Sequence, residues 1–175
     1  HRDLHSFPTR RSSDLLALQL GADYPDLADE IVAIGATPLS AMGLALNHIQ
    51  RQALEFGDLG LARQIAMLSY KSAGSLSERF GRRGNRNGEN PRADHWARFD
   101  VGGYLDHQAK IFDARFELES YRVITKAMDL FDLTNDEIAG IRSKVSLVGI
   151  SSDWLFPAAE VEALAQRFRA NGVDV

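Results

Sequence analysis

Cysteine is absent from this chain, and proline, methionine and tryptophan are scarce, at 5, 3 and 2 positions among 175 residues. Without cysteine there are no disulfides, no thiolate zinc sites and no cysteine nucleophile. No apolar stretch approaches the roughly 20 residues needed to span a bilayer, and the N-terminus lacks the charged-then-apolar pattern of a signal peptide, so a cytoplasmic protein with no membrane partner is expected. Strong charge of either sign is missing too. A formal charge of -4 gives no electrostatic reason to expect nucleic acid or an anionic membrane as partner, which leaves small molecules and protein surfaces. No metal-ligand spacing occurs, and the glycine-rich stretch lacks the G-x-x-x-x-G-K-[ST] spacing of a phosphate cradle. With 45% hydrophobic and 25% charged residues, the composition fits one ordinary globular domain or a piece of a larger one.

Residues 1–15, "HRDLHSFPTRRSSDL", show neither helical nor strand periodicity and join a strongly patterned segment without a turn signal; they read as a non-native leader or a disordered tail. Pattern begins at Leu16. "LALQLGADYPD" reads as a short helix, and "EIVAIGA" (30–36) as a strand covered on both faces. Beyond Pro38 the texture is helical, with Ala45, Ile49, Ala53 and Phe56 on one face. Asp58 is a candidate N-cap for a helix to about Tyr70, in which Leu61, Ile65 and Leu68 form one stripe and Arg63, Met67 and Tyr70 another. The Gly-, Asn- and Arg-rich stretch between Ser75 and Asp100 reads as a loop. Helices follow over 104–116, with Leu105, Ala109, Phe112 and Phe116 on one side, and over 120–130. "KVSLVGI" (144–150) reads as a second buried strand, then a helix after Pro157 buries Val161, Leu164, Ala165 and Phe168 and stops at Asn171-Gly172. Val173 to Val175 would begin a third strand.

Strands alternating with helices indicate an α/β fold with a parallel sheet. The segment between the first two strands is far longer than the dozen or so residues that a crossover needs. Residues 38–141 therefore read as a helical lid insertion, and residues 16–37 with 142–175 as a partial core. A lid of this kind stands over the carboxyl ends of the strands, where α/β sheets bind ligands.

"GLARQIAMLSYKS", "ERFGR", "FDVGGYLDHQ", "AMDLFDL" and "GISSDWLFP" occur in an order and spacing that resemble the homoserine O-acetyltransferase family. The resemblance runs from about Leu16 to Val175. It implies a partial α/β-hydrolase fold and an acyl-CoA-dependent acyltransferase of methionine biosynthesis. In that family acetyl-CoA acylates a serine, CoA leaves, and the hydroxyl of L-homoserine attacks the acyl-enzyme, with no cofactor or metal. A homodimer formed through the lid is implied as well. Related readings are a homoserine O-succinyltransferase, a serine O-acyltransferase or esterase of the same fold, or a non-catalytic remnant.

The family triad runs Ser, Asp, His, with the serine on a Gly-x-Ser-x-Gly elbow. Counting back along the family pattern puts that serine at Arg11, and neither Ser12 nor Ser13 has the flanking glycines a strained elbow requires. "GISSDWLFP" matches the segment bearing the triad aspartate, which assigns Asp153; the alternative is an N-cap on the following helix. All five histidines, His1, His5, His48, His95 and His107, precede Asp153, so the triad histidine has no counterpart and the chain is expected to be inactive alone. Arg63 matches the family arginine that contacts substrate, through the homoserine carboxylate; the alternative is a solvated arginine on a lid helix. Tyr70, about two turns further, is a pocket candidate or a core tyrosine. His107, Asp129 and Asp132 read as surface or capping groups, and Trp154 and Phe156 as wall residues.

Overall fold

The computed structural model describes residues 9–175, with side chains from Ser13 onward. In chain order its elements are α1 (Thr9–Asp23), β1 (Glu30–Ile34), α2 (Ala41–Glu55), α3 (Leu59–Ser69), α4 (Ala73–Phe80), α5 (Asp100–Asp113), α6 (Leu118–Leu130), α7 (Asn135–Gly140), β2 (Lys144–Val148) and α8 (Ala158–Ala170). They divide into two compact units, one joining the chain up to Gly43 with Lys126–Val175, the other spanning Leu44–Thr125.

In the first unit β1 and β2 pair in parallel, Glu30 opposite Lys144 through Ile34 opposite Val148. Ile31, Ala33 and Val145 point into a core closed by Leu15 and Leu18 of α1, Ile138 of α7, and Leu164 and Phe168 of α8. Full burial of a large apolar side chain stabilises by roughly 1.5–3 kcal/mol, so this one face carries the unit. The other face is bare. Val32, Ile34 and Val148 are 52%, 47% and 44% exposed, which corrects the expectation of strands covered on both faces. A near-continuous apolar run in a strand announces two coverings, and only one is supplied among the described residues.

Three further differences concern element limits. α1 starts at Thr9, ahead of the apolar pattern, because Leu15 and Leu18 anchor it in the core and the helix extends N-terminally from them. Within it Asp14 is held above the ordinary carboxylate range by burial, partly offset by a hydrogen bond from the Ile34 backbone. Residues 1–8, including His1 and His5, lie outside the described residues. At the other end, Val173 to Val175 form no strand; they contribute one ladder-like bond, Val145 N–H to the Asp174 carbonyl at 2.8 Å. Finally, α7 opens with a capping box in which Thr134 Oγ1 accepts from Glu137 N and the Glu137 carboxylate accepts from Thr134 N.

Among the described residues β1 has β2 as its sole strand neighbour, and its free edge borders the bare Val32–Ile34 face. Such an edge is a template for pairing with another chain. The purified 175-residue chain is expected to self-associate, with light scattering rising with concentration. A monomer that stays monomeric at high concentration and melts sharply would overturn this expectation.

The second unit is helical. Asp58 caps α3 as expected, its Oδ1 accepting from Leu61 N at 2.7 Å. Gly60 lets α3 approach α5 closely, since a Cβ there would lie 3.3 Å from Ala109 Cβ. The buried side of α2 keeps Ala53 of the expected face but is turned away from its other members. Ile49 and Phe56 are exposed, and Asn47, Gln50, Ala53 and Leu54 are buried. Polar side chains turn inward here because they bond one another. Gln50 Nε2 donates to Asn47 Oδ1 at 3.2 Å, Asn47 Nδ2 donates to the Thr125 carbonyl at 3.2 Å, and the Tyr121 hydroxyl donates to Gln50 Oε1. Helix also enters the stretch read as a loop. Ser72 caps α4, whose Phe80 is buried against the Tyr104 ring with centroids 5.0 Å apart. Residues 81–99 remain turn-rich, tied by Arg98 to Glu89 and Asp106; Arg98 holds the Glu89 carboxyl below its usual range.

Candidate active site

Asp153 lies beyond the carboxyl end of β2, in the stretch that leads to α8. Its own N–H donates to the Ile150 carbonyl at 3.0 Å, and its Oδ1 accepts from the backbone N–H of Leu155 at 2.9 Å and of Phe156 at 3.1 Å. The carboxylate thereby shapes the turn over 153–156. It is not the cap of α8, whose N-cap position is Pro157. Asp153 is 9% exposed, and Phe156 beside it is wholly buried.

The second carboxylate oxygen faces Gly35, where a Cβ would come to 3.5 Å from Oδ2. Gly35 has φ +60°, a conformation that disfavours side chains, and its N–H donates to the Val148 carbonyl at 2.8 Å. The turn after β1 thus leaves room beside the carboxylate. The apolar run 30–36 takes Gly35 into the strand, but β1 ends at Ile34, the last β-branched residue before it. Asp153 and Gly35 together sit where neighbouring parallel strands end, the place where α/β sheets gather functional groups.

Arg63, in the other unit, is 3% exposed. The buried stripe of α3 is the one carrying Arg63 and Met67, whereas Leu61 and Leu68 of the expected stripe are 44% and 43% exposed. A solvated arginine is therefore ruled out. The guanidinium carbon lies 4.7 Å from the centroid of the Phe112 ring and 5.1 Å from that of Tyr70, so the structure brings Arg63 and Tyr70 together. Cation–π contact with two rings recovers part of the desolvation penalty. Nε and Nη1 are nevertheless buried without a hydrogen-bond partner among the described residues. Unpaired buried charge costs several kcal/mol, and a carboxylate is the group that would satisfy it, through charge-assisted hydrogen bonds.

Beneath this stack lies Tyr121. Its ring meets Phe112 edge-on at 5.5 Å, and burial drives its phenol well above the ordinary tyrosine range, with Tyr70 adding to the shift and Arg63 opposing it. Tyr121, Gln50 and Phe112 were missed as site-forming residues. The Gln50 and Tyr121 side chains are neighbours only through packing, and no local spacing signals that.

The remaining candidates are peripheral. His107 is exposed, and Asp132 pairs with Arg167 at 2.9 Å. Ser13 is exposed on α1, and the side chains of Arg11 and Ser12 fall outside the described residues. Among the described residues no three His, Cys, Asp or Glu side chains group to hold a metal ion, and no helix is long and apolar enough to cross a membrane.

No protein-family model matches the chain. A homoserine O-acetyltransferase of Acidiphilium cryptum is 36% identical over 177 residues, covering 87% of this chain and 46% of that protein. One from Methanosalsum zhilinae is 32% identical over 183 residues, covering 92% and 37%. Among solved structures, the Staphylococcus aureus homoserine O-acetyltransferase superposes with a TM-score of 0.69 at 26% identity, over 89% of this chain and 46% of that one. Esterase E22 superposes with a TM-score of 0.77 at 12% identity, over 92% and 50%, a likeness of fold alone. The chain spans half or less of the length of these relatives, and its architecture is a partial α/β-hydrolase fold. Five motifs in register, a carboxylate at the tip of the second parallel strand and this set of relatives lead to one conclusion: the chain belongs to the homoserine O-acetyltransferase family, of whose members it represents about half.

Proposed function

We propose that this chain is the part of a homoserine O-acetyltransferase that supplies the triad aspartate and the substrate-carboxylate arginine. The observation that carries the reading is Arg63, a guanidinium stacked on two aromatic rings with buried Nε and Nη1 unsatisfied. An amino-acid substrate brings the carboxylate those donors need. In the proposed reaction acetyl-CoA acylates a serine, CoA departs, and the L-homoserine hydroxyl attacks the acyl-enzyme, with no cofactor and no metal. Asp153 orients the imidazole that takes and returns the proton. Arg63 holds the homoserine carboxylate, and Tyr70 walls the same pocket. Residues 38–141 form the lid, through which the full-length enzyme dimerises, and residues 16–37 and 142–175, with Leu15 packed among them, belong to the hydrolase core. Cytoplasmic residence goes with this reading.

The test is Arg63→Lys in a full-length acyltransferase carrying this segment. A bidentate fork becomes a point charge, and losing charged hydrogen bonds costs on the order of 1.5–3 kcal/mol. The KM for homoserine should therefore rise by roughly 10- to 150-fold, with that for acetyl-CoA little changed. Equal effects on both substrates would remove Arg63 from the acceptor site.

A further inference from the structure

Among the described residues no carboxylate pairs with Arg63 to fix its direction, so its aim depends on the rings it lies against. Phe112 is the closer ring, 2% exposed, and it is gripped from two sides: stacked on Phe116 at 4.7 Å and edge-on to Tyr121 at 5.5 Å. Tyr121 is in turn fixed through its hydroxyl. The chain of bonds behind that hydroxyl has a direction. The Thr125 carbonyl accepts from the Asn47 amide at 3.2 Å, so Asn47 must present its oxygen to Gln50. Gln50 donates Nε2 to that oxygen at 3.2 Å and so presents Oε1 to Tyr121. Reversing either amide would place donor against donor or acceptor against acceptor, and all four residues are buried away from compensating water.

We infer that Tyr121 and Gln50 are positioning residues: their buried hydrogen bond sets the Phe112 ring and, through it, the aim of the Arg63 guanidinium toward the acceptor carboxylate. The inference deepens the proposed function and rests on it for the identity of that carboxylate. A neutral phenol is what the arrangement needs. Burial keeps Tyr121 protonated and able to donate to Gln50 throughout the physiological range. The polar inward face of α2 acquires a role in this way, since an apolar face would fill the same space without orienting anything.

The test is Tyr121→Phe in the full-length acyltransferase carrying this segment, read in two ways. Arg63 is first labelled with phenylglyoxal and its rate followed by peptide mass spectrometry, with the exposed Arg79 as internal control. Loosening of the stack should raise the Arg63 rate relative to Arg79 by about tenfold, the equivalent of one neutral hydrogen bond. The homoserine KM should rise by a similar factor, with kcat and the acetyl-CoA KM unchanged. An unaltered labelling ratio overturns the inference, as does an equal rise in both KM values, which would make Tyr121 a folding residue only. Faster labelling in a protein that shows no homoserine-dependent turnover even as wild type would sink the proposed function and leave the positioning intact. If Tyr121→Phe alone does not fold, the double variant Tyr121→Phe, Gln50→Leu, which removes both ends of that buried hydrogen bond, is read identically.

Discussion

Asp153→Asn, placed in the full-length acyltransferase, is expected to lower acetyl transfer by about four orders of magnitude, the loss seen for the equivalent change in the serine-protease template. Melting temperature should barely move. The reason for the second half lies in which oxygen does what. Oδ1 accepts from Leu155 N and Phe156 N, and an asparagine carbonyl oxygen accepts the same two bonds, so the turn over 153–156 survives. The rate loss has a different origin: an amide allows the wrong imidazole tautomer and gives no stabilisation to imidazolium. A purely structural aspartate predicts the opposite pattern, with near-normal rates for Asp153→Asn and, for Asp153→Ala alone, a stability loss of about 1 kcal/mol, as for a lost side-chain cap. Transfer rates and melting temperatures for both variants separate these cases. An Asp153→Asn enzyme keeping more than about a tenth of the wild-type rate would remove the carboxylate from the triad, given the loss expected from that template.

What the sequence revealed and what it hid divide along a physical line. Features fixed by local chemistry were legible. Asp58 at the start of α3, the apolar face of α8 and its stop at Gly172, where φ is +85°, all follow from capping, periodicity and the freedom of glycine at positive φ. Both strands were placed, although their second face proved bare. In the second unit α5 buries Ala109 and Phe112 as its stripe announced, whereas α2 and α3 misled because their burial is decided by partners distant in the chain. Asn47 and Gln50 turn inward since Tyr121 and the Thr125 carbonyl are there to receive them, and a wheel of hydrophobicity has no means of seeing that. Arg63 is buried for the same reason, with Phe112 and Tyr70 supplying the rings that make a charged residue tolerable on an inward stripe. α7 is a different kind of miss. Its Thr134-x-x-Glu137 box was visible, but six residues give too little periodicity to register as a helix. Asp153 and Arg63 came from motif, and the structure explains the burial of each in its own unit.

The 175 residues alone are expected to give no homoserine-dependent release of CoA. A serine hydroxyl is a weak nucleophile until a base takes its proton, and the base must be held by the carboxylate that will stabilise its charge. Asp153 can be that carboxylate, but no histidine follows it in the sequence. Of the three histidines within the described residues, His107 sits exposed on α5, a position suited to solvent rather than to proton transfer. The serines offered by the family register lie in α1, where the backbone is helical from Thr9 onward and forms no strained strand-to-helix turn. Removing the whole nucleophile–base pair forfeits covalent catalysis and leaves at most binding and electrostatic contributions, a residual of about 10³–10⁴ over water in the protease template. Among the described residues no elbow supplies backbone donors either, so even that residual should not appear. The measurement is thiol release on adding L-homoserine and acetyl-CoA to the purified chain, against an empty-vector preparation. Turnover that rises with chain concentration and disappears in Asp153→Ala would mean that a base and nucleophile exist among these residues, and the assignment of roles would have to be rebuilt around them.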